Sequence, residues 1–133
     1  LDNEDRATYQ EGGTVLITRH GIFGGEKMKL GIVINTNNPE TAWNALRLGD
    51  TALNAGHNVT VFLLGSGVEV ENIVDENYDV GELIRRFATR KGSLLGCGTC
   101  MRQRHREAGV ILKSTMSDLV KLILDSDKVI SFG

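Results

Sequence analysis

The chain has 133 residues, 15 Lys and Arg against 17 Asp and Glu, a formal charge of -2, and hydrophobic residues making up 41% of its length. That length fits one domain, able to bury about two-thirds of the surface its unfolded chain exposes. A slightly acidic chain has no overall attraction to nucleic acid or anionic lipid. No apolar run approaches the ~20 residues that span a bilayer, and the N-terminus lacks the apolar core of a signal peptide. With only two cysteines, Cys97 and Cys100, a secreted disulfide scaffold is excluded. The expectation is a soluble, cytoplasmic, single-domain protein.

The first 27 residues differ from the rest. Asp2, Glu4, Asp5 and Glu11 make the start acidic, with little to bury. Thr14-Val15-Leu16-Ile17-Thr18 reads as a short edge strand, broken afterwards by Gly21, Gly24 and Gly25. A second reading competes with it. Gly24-Gly25-Glu26-Lys27 is encodable by the purine-rich codons of a ribosome-binding site, which would make Met28 the initiator and residues 1–27 an extension or a mis-assigned or vector leader.

From Met28 onward, strand and helix patterns alternate. Lys29 to Asn35 is a nearly continuous apolar run, as in a strand covered on both faces. Asn38, Pro39 and Glu40 read as N-cap, first helical residue and first-turn acid. Ala42, Ala45, Leu46, Gly49, Ala52 and Leu53 then share one helix face until Gly56. A second strand, Asn58 to Leu64, closes on Gly65-Ser66-Gly67. Residues 68–78 scatter acids among Val68, Val70, Ile73 and Val74 and read as a loop or short helix beside the site. Asp79-x-x-Glu82 opens a helix with an apolar stripe through Val80, Leu83, Ile84, Phe87 and Ala88. Ser93 to Cys97 is a third strand running into a helix over 99–108 that ends at Gly109. A short strand at 110–112, a helix from Thr115 buried through Met116, Leu119, Val120 and Ile123, and a last strand at 128–132 complete the pattern. This alternation predicts an α/β fold: a single doubly wound, mainly parallel sheet flanked by helices.

Ligands of such sheets collect beyond the carboxyl ends of the strands. Three loops leave that edge: Asn35-Thr36-Asn37-Asn38, Gly65-Ser66-Gly67, and Gly96-Cys97-Gly98-Thr99-Cys100. The third carries the chemistry. Cys97 falls at the strand end and Cys100 in the first helical turn, where free N–H groups favour thiolate over thiol. Arg102, Arg104, His105 and Arg106 add positive charge, and Gly96 and Gly98 leave the sulfur accessible. Arg102 and Arg106 share a helix side, with Arg104 turned to solvent. A buried, unreactive cysteine pair is the bland alternative.

Other Cys-x-x-Cys chemistries fit poorly. A thioredoxin-like enzyme carries its pair after the first strand and a cis-proline later, whereas here the pair follows the third strand and the single proline, Pro39, precedes it. Zinc needs four ligands and one Cys-x-x-Cys supplies two; His105 lacks an evident partner, so no metal is expected. Gly65-Ser66-Gly67 lacks the third glycine of a dinucleotide fingerprint, and no P-loop occurs. Aromatics are 5% of the chain and none interleave with the arginines, which speaks against nucleic acid. No organic cofactor is expected. His57, just past Gly56, reads as a capping or surface residue, and Trp43 as packing or a subunit contact.

The strand beginning at Met28, the Ala-rich helix, the Val59–Leu64 strand with its glycines, and above all Cys97-Gly98-Thr99-Cys100-Met101-x-x-Arg104 resemble the DsrE/DsrF-like sulfur-relay family, nearest its YchN-like branch. The resemblance covers residues 28–133. It implies a small doubly wound domain assembling as trimers or hexamers, with sulfane sulfur carried as a persulfide on Cys97 and passed between donor and acceptor proteins. It departs at His105, where the family usually has glycine. Beside it, the residues suggest Cys100 as resolving thiol, with Gly98, Thr99 and Arg102 stabilising the anionic sulfur. Asn35, Thr36, Asn37, Gly65, Ser66 and Gly67 line the pocket. Two alternatives stay open: a small-ligand or nucleotide-binding module, and a structural subunit without sulfur transfer.

Overall fold

The computed structural model describes residues 26–133 and, upstream, the backbone of two short strands. These are β1 (Arg6–Thr8) and β2 (Thr14–Leu16), paired antiparallel with Ala7 opposite Val15. The strand expected at 14–18 is present over Thr14–Leu16. Ile17, Thr18, His20, Gly21, Gly24 and Gly25 lie outside the described residues.

The later strands are β3 (Lys29–Ile34), β4 (Asn58–Leu63), β5 (Ser93–Cys97), β6 (Leu112–Ser114) and β7 (Lys128–Phe132). They form one five-stranded sheet in the order β6-β5-β4-β3-β7, with every pairing parallel. Parallel neighbours need a crossover between them. Four helices supply these crossovers: α1 (Pro39–Asn54), α2 (Val80–Thr89), α3 (Gly98–Gln103) and α4 (Met116–Asp125). The chain steps outward from β3 to β6, then α4 returns it across the sheet to set β7 beside β3. The main core lies between the sheet and α1 and α2. On the other face α4 is the one helix among the described residues, over a smaller cluster of Phe62, Cys97 and Leu119. The expected α/β architecture is what the chain adopts. Among the described residues no helix is long and apolar enough to cross a membrane.

The helix starts follow their caps. Asn38 Oδ1 accepts from the Thr41 amide at 2.9 Å, and Asp79 Oδ1 accepts from the Glu82 amide at 3.1 Å, each satisfying a donor the helix leaves free. Gly56, in the left-handed region at φ 94°, ends α1. Buried Asp50 on α1 receives Arg86 at 3.0 Å and Arg90 at 3.2 Å from α2 and its cap, pinning the two helices.

Five expectations need correction. Gly65–Asn72 forms a 3-10 helix in place of the expected Gly65-Ser66-Gly67 loop, with Val68 and Val70 fully buried. The helix expected to reach 108 stops at Gln103, because His105 takes φ 55°. The Arg106 amide then reaches the Met101 carbonyl at 2.8 Å and the His105 amide the Arg102 carbonyl at 3.1 Å, the paired closure of a Schellman turn. The sixth strand lies at Leu112–Ser114 instead of 110–112, its register set by Leu95 opposite Leu112 and Cys97 opposite Ser114. Met116, Val120 and Ile123 of α4 are exposed; only Leu119 is buried, since a lone helix rests on the sheet along one narrow stripe. His57 is buried, its Nδ1 accepting from the Met28 amide at 2.9 Å.

Candidate functional site

Cys97 ends β5 and caps the start of α3. Cys97 is 4% exposed and clusters with Phe62 and Leu119, so the sulfur lies over an apolar floor and is enclosed, not left accessible as the flanking glycines suggest. The two flanking glycines permit this. A Cβ at Gly96 would meet Ile111 at 2.8 Å and the Met101 sulfur at 2.9 Å, so glycine lets Met101 anchor α3 against the sheet. A Cβ at Gly98 would meet the Ser114 carbonyl at 3.2 Å and the Arg102 guanidinium at 3.4 Å, so glycine there admits both β6 and the cation.

Burial by itself pushes the Cys97 thiol up. The Cys100 amide and thiol, the Thr99 amide and the Arg102 charge all favour the thiolate, and together they hold Cys97 below the usual thiol value. Cys100, half-buried and a free thiol, sits between the two apolar clusters. Arg102 Nη2 donates to Thr99 Oγ1 at 3.2 Å, which fixes the guanidinium beside the helix start. The structure therefore brings Cys97, Gly98, Thr99, Cys100 and Arg102 into one cluster.

The other two loops lie further along the same sheet edge. The Asn35 amide donates to the Phe132 carbonyl at 2.8 Å, and Thr36 Oγ1 accepts from the Asn38 amide at 3.0 Å. Gly65, at φ 52°, lies against the Asn35 side chain. At Gly67 a Cβ would fall on the Ile34 carbonyl oxygen. Asn35 and Asn37 are exposed, and Ser66 is half-buried at the start of the 3-10 helix. Among the described residues, no side-chain hydrogen bond links these loops to either cysteine.

The link comes from residues the sequence did not single out for it. Arg104 does not face solvent: its Nε donates to Glu69 Oε1 at 3.2 Å and its Nη1 to the Cys100 carbonyl at 3.5 Å. It thereby ties the 3-10 helix to α3. Ser114, opposite Cys97, donates to Asp118 at 2.8 Å. Arg104 was visible in the motif, but nothing in the spacing marks Glu69, 35 positions away, as its partner. Among the described residues no three His, Cys, Asp or Glu side chains gather into a metal-binding group.

A parallel five-stranded sheet with Cys97 at a strand-to-helix junction is the arrangement the resemblance implies, and the family comparison agrees. The sequence model of the DsrE/DsrF-like family matches residues 28–132. The chain belongs to the DsrE/DsrF-like family. It is 32% identical over 100 residues to the uncharacterized protein MJ0989 of Methanocaldococcus jannaschii, covering 70% of this chain and 88% of that one. It is 35% identical over 101 residues to the uncharacterized protein MK0008 of Methanopyrus kandleri, covering 70% and 83% of the two chains. The glycine that the resemblance leads one to expect in place of His105 would have a physical reason. The residue sits where α3 closes in the left-handed conformation, which glycine adopts without steric cost.

Proposed function

We propose that this protein is a sulfur carrier of the sulfurtransferase type, holding sulfane sulfur as a persulfide on Cys97. The observation that carries the reading is the cluster itself: Cys97 at the β5–α3 junction over an apolar floor, with the Arg102 guanidinium fixed beside the helix start and Cys100 packed against the same cluster. Membership of a family known for sulfur relay supports it.

In loading, the Cys97 thiolate attacks the outer sulfur of a donor persulfide. A Cys97 S–S bond forms, the donor's S–S bond breaks, and the donor leaves as thiolate with no net redox change. Transfer reverses these roles: an acceptor thiolate takes the outer sulfur and Cys97 leaves as thiolate. The features that acidify Cys97 also make it a good leaving group. The Thr99 amide and Arg102 stabilise the sulfur anion at each stage, and Gly98 lets the Arg102 guanidinium come close. Where no acceptor engages, the Cys100 thiolate attacks the Cys97 sulfur and expels hydrogen sulfide. The two cysteine sulfurs are oxidised to a disulfide, the sulfane sulfur is reduced, and an external thiol must then restore the pair. Neither metal nor organic cofactor enters this chemistry.

Residues 28–133 form the functional unit, acting in the cytoplasm, with the loops at Asn35–Asn37 and Gly65–Gly67 as the rim where protein donors and acceptors approach. Residues 1–27 are an extension or leader, and the intact mass of natively expressed protein tests Met28 as initiator. Copies associate as trimers or hexamers, and the exposed apolar flank of α4 is the surface for that contact. Nucleic acid and membranes are not partners. The direct test compares Cys97→Ser with Cys100→Ser after incubation with a low-molecular-weight persulfide. Loss of loading in the first and retention in the second is expected; the reverse pattern contradicts the assignment.

A further inference from the structure

At the amino ends of the strands, on the opposite sheet edge from Cys97, lies a cavity of about 690 Å³. It exists because, among the described residues, only α4 covers that face, leaving Leu95 of β5 open beside Leu122. Those residues and Leu53 give it apolar walls. Its charge is lopsided: Lys27, Lys29, Lys91 and Lys121 line it, and among the described residues none of them forms a salt bridge. Two acids, Asp118 and Asp125, also line it, so the four lysines outnumber them; the Asp118 carboxylate accepts from Ser114 Oγ at 2.8 Å. This surplus of positive charge sits on a chain whose formal charge is -2. The ends of α1 and α2 do not cancel it, because their last carbonyls are taken by the amides of Ala55, Gly56 and His57 and of Arg90, Lys91 and Gly92.

His57 supplies an independent sign of a ligand. It lines the cavity and is only 9% exposed. Its Nδ1 accepts from the Met28 amide, so the ring proton of the neutral imidazole sits on Nε2. Among the described residues nothing accepts from that N–H, and it is not among the fully enclosed unsatisfied atoms, so it reaches the cavity space. The ring is otherwise packed in protein, so this one N–H is fixed in direction and offers a cavity ligand a pre-set donor.

We infer that this cavity is a second binding site, for a small organic anion with an apolar body. The anionic group accepts from His57 Nε2 and is held by the surrounding lysines, while the apolar part lies on Leu53, Leu95 and Leu122. The volume is that of an organic ligand rather than a single inorganic ion. The site is independent of the persulfide reading and of the outer flank of α4. Met116, Val120 and Ile123 follow one helical stripe there, whereas Asp118, Lys121 and Asp125 follow another.

The test is a titration of the reduced full chain with sub-micellar octyl phosphate, followed by amide and imidazole NMR shifts. Octanol and inorganic phosphate serve as parallel probes. Saturable shifts at Asn58, Lys91, Lys121 and the His57 ring are expected, with neither single-feature probe saturating. The double variant Lys29→Gln/Lys121→Gln should weaken binding by about tenfold or more and leave sulfur loading of Cys97 unchanged. The proposal is overturned by no saturation up to about 10 mM, by shifts confined to the outer flank of α4, or by undiminished binding in the double variant. Cavity amides that move with protein concentration instead of ligand would mean that a second copy of the chain fills the space, and would equally overturn it.

Discussion

At Cys97 two opposed effects meet: burial favours the thiol, and the Cys100 and Thr99 donors with the Arg102 charge favour the thiolate and prevail. The rate of alkylation should therefore rise with pH to a midpoint below the ordinary thiol value of about 8.5. Arg102→Met removes the nearby positive charge, so its midpoint should move up and its reaction near neutrality slow; an unchanged midpoint would show that Arg102 does not act on the thiol. The stability linkage has a definite sign. A folded-state pKa lowered below the unfolded one adds stability that is complete above the unfolded pKa and lost as pH falls through the folded one. Conversion of Cys97 to Ser should abolish that part of the pH dependence in denaturant titrations. Much of this residue-level picture was legible in the sequence, because glycines on either side of a cysteine and a nearby Arg act over a few positions. The Glu69–Arg104 pair was not, since it depends on how the 3-10 helix folds onto α3.

The elements that departed from expectation did so where a local signal met a tertiary one. Periodicity carried the helix after Cys97 to 108, but the chain turns at His105 in a conformation that costs an L-residue roughly 1–2 kcal/mol. Replacing His105 with Gly removes that steric cost at the expense of backbone entropy of roughly 0.5–1 kcal/mol. The net expectation is a gain of up to about 1 kcal/mol in thermal or urea unfolding, with sulfur loading retained; a loss of stability would mean the imidazole makes a contact that outweighs the strain. Gly67→Ala tests the 3-10 helix in the other direction. Its Cβ would fall on the Ile34 carbonyl, a backbone atom that cannot swing aside, so a loss of about 1–3 kcal/mol is expected. Residues 68–78 read poorly because their buried Val68 and Val70 follow neither a helical nor a strand period. The starts of α1 and α2 read well because Asn38 and Asp79 act within three residues.

At the scale of the whole molecule, the alternation of elements foretold a parallel sheet, yet not that α4 would be the one helix among the described residues to cover its face. That arrangement leaves Val120 56% and Leu124 78% exposed, together with a β7 edge that, among the described residues, pairs only with β3. Contiguous exposed apolar residues of this kind mark an association surface. Val120→Glu with Leu124→Glu should shift sedimentation from an oligomer towards the monomer without altering far-ultraviolet circular dichroism. An unshifted oligomer would move the interface elsewhere. The central claim is nevertheless chemical. The reduced protein incubated with a persulfide donor, then analysed by intact and peptide mass under non-reducing conditions, should carry one added sulfur atom mapping to Cys97. A protein that stays unmodified, with Cys97 and Cys100 both freely alkylated, would contradict the assignment of sulfur transfer.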